Sequence, residues 1–249
     1  TLIGAAAHFR PGRIQEGLED AMRGREAWLR GQKPHDGLSA ATNRTLAKML
    51  SLMKTQVCSP EGMIRHRWTT PDRWPHRRMW LWDSVFHAIG WRHLDPGLAR
   101  EMISAVFDGQ RPDGFMAHMI SPAAVSAVTQ PPVLALGVKL VHETAPDARW
   151  VQTLYPHLCA YVEWDLAHRD SDGEGLAEWA IAGDPTCRSG ESGMDNSPRF
   201  DNATRLDAVD FNSYLALECE ILASFAGELG LREDAGKWRR RHQTLCALI

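Results

Sequence analysis

The chain has 249 residues, and 28 Lys and Arg against 31 Asp and Glu give a formal net charge of -3. This balance excludes a strongly basic nucleic-acid-binding protein, because such proteins gain most of their affinity by neutralising phosphates. With 44% hydrophobic and 24% charged residues, the composition is that of a globular protein and not of a disordered or fibrous one. The sequence contains no uncharged apolar run of about 18 residues, so it predicts no membrane span.

The five cysteines are an odd number, are widely spread and include no Cys-x-x-Cys pair. They predict neither a disulfide framework nor a zinc site, and they favour a reducing, cytoplasmic setting. The chain starts without a methionine and stops inside a helical pattern. We therefore expect it to be a piece of a longer protein.

Apolar residues recur at helical spacing along almost the whole chain. The pattern predicts an all-α protein with helices near 13–31, 37–56, 80–93, 97–109, 122–143, 148–168, 205–229 and 232–249. Three long connections, rich in Gly, Pro and polar residues, are expected at 57–79, 110–121 and 169–204. Short turns alternating with long loops are typical of a ring of helical hairpins, in which the long loops at one end build the functional site.

Tryptophan is concentrated between Trp68 and Trp91, where five of the ten indoles of the chain alternate with charged and imidazole side chains. A sugar has an apolar C–H face and a rim of hydroxyls, so indoles beside polar groups suit it well. Packing in a helical core explains the tryptophans equally well. Asp83 favours a site, because a carboxylate buried among Trp80 and Trp82 without a partner would be costly.

The acidic loop 169–204 contains the sequence DSDGEG at 170–175, which begins like a calcium-binding loop. Glu174 takes the place of the usual Asp or Asn, and the twelfth position is Ile181 instead of glutamate. These departures exclude an EF-hand. The hexapeptide is best interpreted as a plain turn, with a structural calcium ion as the alternative.

The segment GESGMDNSPRFD at 190–201 has small residues that let the backbone approach a ligand closely. Asp195 follows Glu191 by four residues, and a neighbouring carboxylate tends to raise the pKa of an aspartic acid, as a general acid requires. Capping of the following turn is the alternative role for Asp195. Among the histidines, His118 follows a Gly-rich turn and is the one candidate site residue. Sequence motifs of metallohydrolases, serine hydrolases and nucleotide-binding proteins are absent.

Four motifs in order resemble the trehalase-like six-hairpin glycosidases, in particular glycoside hydrolase family 63 and the mannosylglycerate-hydrolase-like group. They are MWLWDSVFHAIG at 79–90, GQRPDGFMAHMI at 109–120, TQPPVLA at 129–135 and ESGMDNSPRF at 191–200. Residues 1–56 and 205–249 match that family only as helices. The resemblance implies an (α/α)6 toroid with the site at its centre, of which residues 1–249 would form the N-terminal and central part.

The resemblance also implies inverting hydrolysis of an α-linked glucoside or mannoside. In this mechanism a carboxylic acid protonates the glycosidic oxygen while a second carboxylate activates water. Asp195 matches the general acid of the family. The residues that match sugar-binding positions are Trp80, Asp83, His118 and Gln130, with Arg188 and Glu191 as weaker matches. Met194 stands where trehalases have tryptophan, so the outer subsite is expected to differ.

The general base of the family is a glutamate in the C-terminal part of the toroid, which we expect beyond residue 249. Glu191 is too near Asp195 along one loop to replace it, because acid and base stand about 6.5–9.5 Å apart across the sugar. The expected ligand is a small carbohydrate, with no cofactor, metal, nucleic acid or membrane partner; the oligomeric state stays open. Two alternatives remain: a catalytically silent sugar-binding module of the same fold, and a helical scaffold whose Trp-rich loops bind a protein.

Overall fold

The computed structural model describes residues 11–32, 35–72, 74, 77–184 and 186–249, with side chains from residue 14 onward. Its described helices are α1 (Pro11–Gly31), α2 (Ala40–Thr55), α3 (Leu81–Trp91), α4 (Pro96–Phe107), α5 (Leu134–Thr144), α6 (Ala148–His168), α7 (Val209–Glu228) and α8 (Arg232–Leu248). Two-residue strands form two antiparallel pairs, β1 (Val57–Cys58) with β2 (Trp68–Thr69) and β3 (Met79–Trp80) with β4 (Met119–Ile120). The predicted all-α class is confirmed.

The chain divides into two compact units, Thr1–Thr55 and Gln56–Ile249. The first unit contains α1 and α2. The Arg25 guanidinium on α1 donates a hydrogen bond of 2.6 Å to the Ser51 hydroxyl on α2. This contact links the two helices of the first unit.

The second unit is built from three helical hairpins: α3 with α4, α5 with α6, and α7 with α8. The first two hairpin turns end in an aspartate that caps the next helix, since Asp95 accepts a hydrogen bond from the Leu98 N–H and Asp147 from the Trp150 N–H. Each cap satisfies an N–H that the helix itself leaves without a partner. Helix α5 contacts both α3 and α7, and all three helices contribute buried residues to the core.

The predicted helix at 122–143 is wrong in its first half, because α5 begins only at Leu134. Pro131 and Pro132 precede it, and a proline disfavours helical backbone in the residue before it. Residues 122–133 instead form an irregular segment that returns beside β4, with the His118 N–H donating to the Val128 carbonyl. This segment carries Gln130 to the site described below.

No helix in the described ranges is long and apolar enough to cross a membrane. Among the described residues no disulfide forms at any of the five cysteines, which are Cys58, Cys159, Cys187, Cys219 and Cys246.

Candidate active site

A cavity of about 290 Å³ lies in the second unit, where the long loops meet the start of α3. This volume lies just below the range of about 300–1,000 Å³ that is usual for ligand pockets. It is lined by Pro71, Trp80, Trp82, Asp83, His118, Gln130, Cys187, Gly190, Gly193 and Asp195. Five of the seven site residues expected from the sequence therefore lie around one cavity.

The junction of β3 and α3 places Trp80, Trp82 and Asp83. The strand ends at Trp80, and α3 begins at the next residue, so Asp83 is in the first helical turn. Trp80 pairs with Met119 in the register of β3 and β4, and its ring lies edge-on to His118 with 5.1 Å between the ring centroids. The strand pair thus holds an indole and an imidazole on the same wall.

Burial raises the pKa of the Asp83 carboxyl, and its hydrogen bonds with its own backbone and with Trp82 oppose this rise. Its place in the first turn of α3 favours the ionised form, since the N-terminus of a helix carries partial positive charge. A half-buried carboxyl in this position can accept hydrogen bonds from sugar hydroxyls.

His118 is held by hydrogen bonds from Nδ1 to the Ser126 hydroxyl and to the Val128 carbonyl, the latter of 3.3 Å. Burial lowers the pKa of the imidazole, whereas the bond to Val128 and the charges of Glu191 and Asp195 raise it. In the neutral tautomer that donates to Val128 through Nδ1, the other ring nitrogen is an acceptor. The other ring nitrogen can therefore accept a hydrogen bond from a hydroxyl group in the cavity.

Gln130 is almost fully buried, with 4% of its surface exposed. Its Oε1 accepts a hydrogen bond of 3.1 Å from the Trp82 N–H, and its backbone carbonyl accepts one of 2.9 Å from the Tyr161 hydroxyl. With the amide oxygen engaged, the side-chain NH₂ is the group that can donate to a ligand.

Asp195 is exposed and lies on the loop between α6 and α7, after the short 3-10 turn Gly190–Ser192. Its backbone carbonyl accepts a hydrogen bond of 2.8 Å from the Ser189 N–H. Gly193 has a left-handed φ of 67° between this turn and Asp195. This bend directs the chain so that Asp195 reaches the cavity.

Glu191 does not line the cavity; its side chain is completely buried behind the wall. The carboxylate accepts hydrogen bonds from the N–H groups of Thr129 and Ala180, both of 3.0 Å, and from Nε and Nη2 of Arg169, of 2.9 and 2.6 Å. Through these bonds Glu191, which lies on the loop of Asp195, is linked to Thr129 in the segment before α5 and to Arg169 and Ala180 in the segment after α6.

Arg188 also lies outside the residues that line the cavity, and its guanidinium pairs with Asp201 at 3.1 Å. The tryptophans expected from the sequence separate into three environments. Trp68 and Trp91 are core residues with 1% exposure, and Trp74 is 85% exposed. Only Trp80 and Trp82 of this group line the cavity.

The loop at 170–175 is a turn closed by Asp170, whose two carboxylate oxygens accept hydrogen bonds from the N–H groups of Gly173 and Gly175. The carboxylates of Asp172, Glu178 and Asp207 lie close enough to share one cation. Arg205 pairs with Asp172 at 3.3 Å and with Glu178 at 3.2 Å. The guanidinium therefore supplies positive charge to this cluster.

The sequence reasoning did not name Pro71, Trp82, Cys187, Gly190 or Gly193 as site residues. Trp82 lies within WLWD, and Gly190 and Gly193 lie within the segment GESGMD, so the sequence held a signal for all three. Pro71 and Cys187 carry no sequence pattern that points to the cavity.

Residues 75–249 match the family model for the mannosylglycerate hydrolase MGH1-like glycoside hydrolase domain. The mannosylglycerate hydrolase of Thermus thermophilus is 33% identical over 162 residues, which are 55% of this chain and 37% of that protein. The glucosylglycerate hydrolase of Mycolicibacterium hassiacum is 28% identical over 173 residues, or 53% of this chain and 35% of that protein. The chain thus spans little more than a third of these relatives.

A crystal structure of the GH63 mannosylglycerate hydrolase from Thermus thermophilus in complex with glucose shares the fold, with a TM-score of 0.65 and 25% identity. The match covers 79% of this chain and 61% of that one. This likeness supports the expected six-hairpin glycosidase fold, to which α3–α8 contribute three hairpins. The matched family model covers well over half of the sequence, and the chain belongs to the mannosylglycerate hydrolase MGH1-like glycoside hydrolase family.

Proposed function

We propose that the protein is an inverting glycoside hydrolase of α-linked glucosides or mannosides, with Asp195 as the general acid. The observation that carries this proposal is the cavity itself, which brings Asp195 and Asp83 together with two indoles, an imidazole and an amide. The names of the two curated relatives support mannosylglycerate and glucosylglycerate as the first substrates to test.

The walls of the cavity complement a hexose ring. The indoles of Trp80 and Trp82 offer apolar faces to the C–H groups of the ring. Asp83 and the neutral His118 accept hydrogen bonds, and the Gln130 amide donates one. Since each sugar hydroxyl can both donate and accept, this mixture holds a ring in one orientation.

In the proposed reaction, Asp195 transfers its proton to the glycosidic oxygen as the bond to the anomeric carbon breaks. A second carboxylate takes a proton from the water that attacks the opposite face of the ring. We place the second carboxylate on a glutamate beyond residue 249, and residues 1–249 in the N-terminal and central part of one toroid.

Glu191 is not suited to act as the base. Its carboxylate is buried and is held by four hydrogen bonds, two of them from Arg169. We propose that Glu191 positions the segment of Gln130 and the loop of Asp195 instead of touching the sugar. Arg188, paired with Asp201 outside the cavity, has the same kind of supporting role.

A catalytically silent sugar-binding module is the second candidate. The observation that favours it is that Asp83 and Asp195 are the only carboxylates among the described residues that line the cavity. Both candidates predict sugar binding, and only the hydrolase predicts turnover.

The test follows the hydrolysis of mannosylglycerate and glucosylglycerate by the full-length protein with proton NMR. An inverting enzyme releases the β-anomer of the hexose first from an α-linked substrate. Initial release of the α-anomer would contradict the proposed mechanism. Binding without turnover would favour the silent module.

A further inference from the structure

A buried acid outside the cavity holds the start of helix α5. Glu218 lies in the middle of α7, and its side chain is completely buried. Its Oε2 accepts a hydrogen bond of 2.7 Å from the Ala135 N–H, and its Oε1 accepts one of 2.9 Å from the Leu136 N–H. These N–H groups lie in the first turn of α5, where the helix provides no acceptors of its own. A carboxylate at this end also meets the positive end of the helix dipole.

The residues just before α5 reach the cavity and are fixed from other sides. Thr129 donates its N–H to Glu191, and its hydroxyl lies 2.7 Å from that of Tyr161. Tyr161 also donates to the carbonyl of Gln130, whose side chain lines the cavity. Residues 129–136, here named the α5 lead segment, are therefore anchored by three buried side chains.

Two prolines connect the anchored helix start with the cavity. Pro131 and Pro132 lie between Gln130 and the N–H groups bound by Glu218. A proline ring fixes φ near −65°, so this part of the backbone has little freedom to absorb a shift. A displacement at Ala135 is therefore expected to be transmitted to Gln130.

We propose that Glu218 is a positioning residue for the cavity, which acts through the α5 lead segment on the side chain of Gln130. This inference rests on the proposed function, because it takes the ligand that Gln130 contacts to be a sugar. Glu218 itself does not line the cavity.

Asp165 provides a matched control. It lies on α6, is completely buried like Glu218, and neither of its carboxyl oxygens has a hydrogen-bond partner among the described residues. Burial raises the pKa of Asp165 well above its usual range, with the charge of Glu191 acting in the same direction and that of Arg169 opposing it. Asparagine resembles the protonated carboxyl in charge and shape. Asp165→Asn therefore changes a buried acid without removing a bond to the α5 lead segment.

The experiment is a double-mutant cycle in the full chain at pH 8, with D-glucose and D-mannose as probes and their affinities read by tryptophan fluorescence. Glu218→Gln is expected to weaken binding about 10-fold, since its amide accepts only one of the two N–H groups. Combined with Gln130→Ala it is expected to weaken binding no further than the stronger single variant, because both act on one group. Asp165→Asn is expected to stay within about twofold of wild type and to combine additively with Gln130→Ala.

Additive effects of Glu218→Gln and Gln130→Ala, or a folded Glu218→Gln variant that binds like wild type, would overturn the proposal. Hydrogen exchange of residues 129–136 separates this result from a failure of the proposed function. If wild type binds neither sugar, the proposed function fails, but exchange of this segment at least about 10-fold faster in Glu218→Gln than in Asp165→Asn still supports the positioning role. Equal exchange in the two variants would refute it.

Discussion

Gly193 lies directly against the ring of Trp82: a Cβ atom on this glycine would stand 2.4 Å from Cζ2 of the indole. The glycine also has a left-handed backbone, with φ of 67°. Two residues later the same loop carries Asp195. The position of the proposed general acid is therefore coupled to an indole that lines the cavity.

Gly193→Ala is expected to lower kcat/KM at least about 10-fold, because the methyl group displaces the loop and the left-handed backbone alone costs about 1–2 kcal/mol. Gly183→Ala on the same loop is the matched control, since its Cβ would meet no atom within 4 Å. Steady-state kinetics and thermal unfolding of both variants check this expectation. Wild-type kinetics in Gly193→Ala would show that the contact with Trp82 does not position Asp195.

Glu191→Gln is expected to lower the free energy of unfolding by about 3–5 kcal/mol, since it leaves the Arg169 cation without its buried partner. Glu143→Gln, which removes an exposed ion pair with Lys139 on α5, is expected to change it by less than about 1 kcal/mol. Urea denaturation without sugar measures both. Reduced sugar affinity in a Glu191→Gln variant of unchanged stability would instead place Glu191 in contact with the ligand.

Glu218 is expected to make stability depend on pH. Burial raises its pKa from 4.5 to about 7, although the Ala135 and Leu136 N–H groups act in the opposite direction. The folded protein therefore binds this proton more tightly than the unfolded chain, so the stabilisation is complete below pH 4.5 and is lost as the pH rises through about 7.

The Glu218→Gln variant cannot titrate at this position. Its free energy of unfolding, relative to that of wild type, is therefore expected to be higher at pH 8 than at pH 5. Urea denaturation at both pH values checks the sign. The charge of Glu218 also raises the pKa values of the neighbouring Tyr161, Asp165 and Cys219, so the difference between the proteins reports Glu218 together with its effect on these groups. A difference that is constant with pH, or that changes in the opposite direction, would contradict the raised pKa.

Cys187 lines the cavity, and burial together with the charges of Asp195 and Asp184 raises the pKa of its thiol. We expect slow alkylation by iodoacetamide at pH 7, because the thiolate is the reactive form. A bound sugar is expected to protect Cys187 further but not the exposed Cys246 on α8. Mass spectrometry of labelled peptides with and without mannosylglycerate measures both. Equal labelling of Cys187 with and without a sugar that binds would place the ligand elsewhere.

The helical class could be predicted from sequence, because apolar periodicity defines helices. The family resemblance named Trp80, Asp83, His118, Gln130 and Asp195, which are half of the ten residues that line the cavity. The start of α5 could not be predicted, since the apolar residues of 122–133 continue the helical spacing although the two prolines oppose a helix. The place of Glu191 depends on Arg169, a partner 22 residues away that only the folded chain brings near. Composition alone likewise could not separate the core indole of Trp68 from the cavity indole of Trp82.

The central claim is tested most directly by hydrolysis of mannosylglycerate and glucosylglycerate by the full-length protein, comparing wild type with Asp195→Asn and Glu174→Gln. The second variant neutralises an exposed carboxylate on the same loop that does not line the cavity. We expect that wild type inverts the anomeric centre, that Asp195→Asn loses about 10²–10⁴-fold in rate, and that Glu174→Gln stays within about twofold of the wild-type rate. An Asp195→Asn variant as active as wild type would contradict the assignment of the general acid.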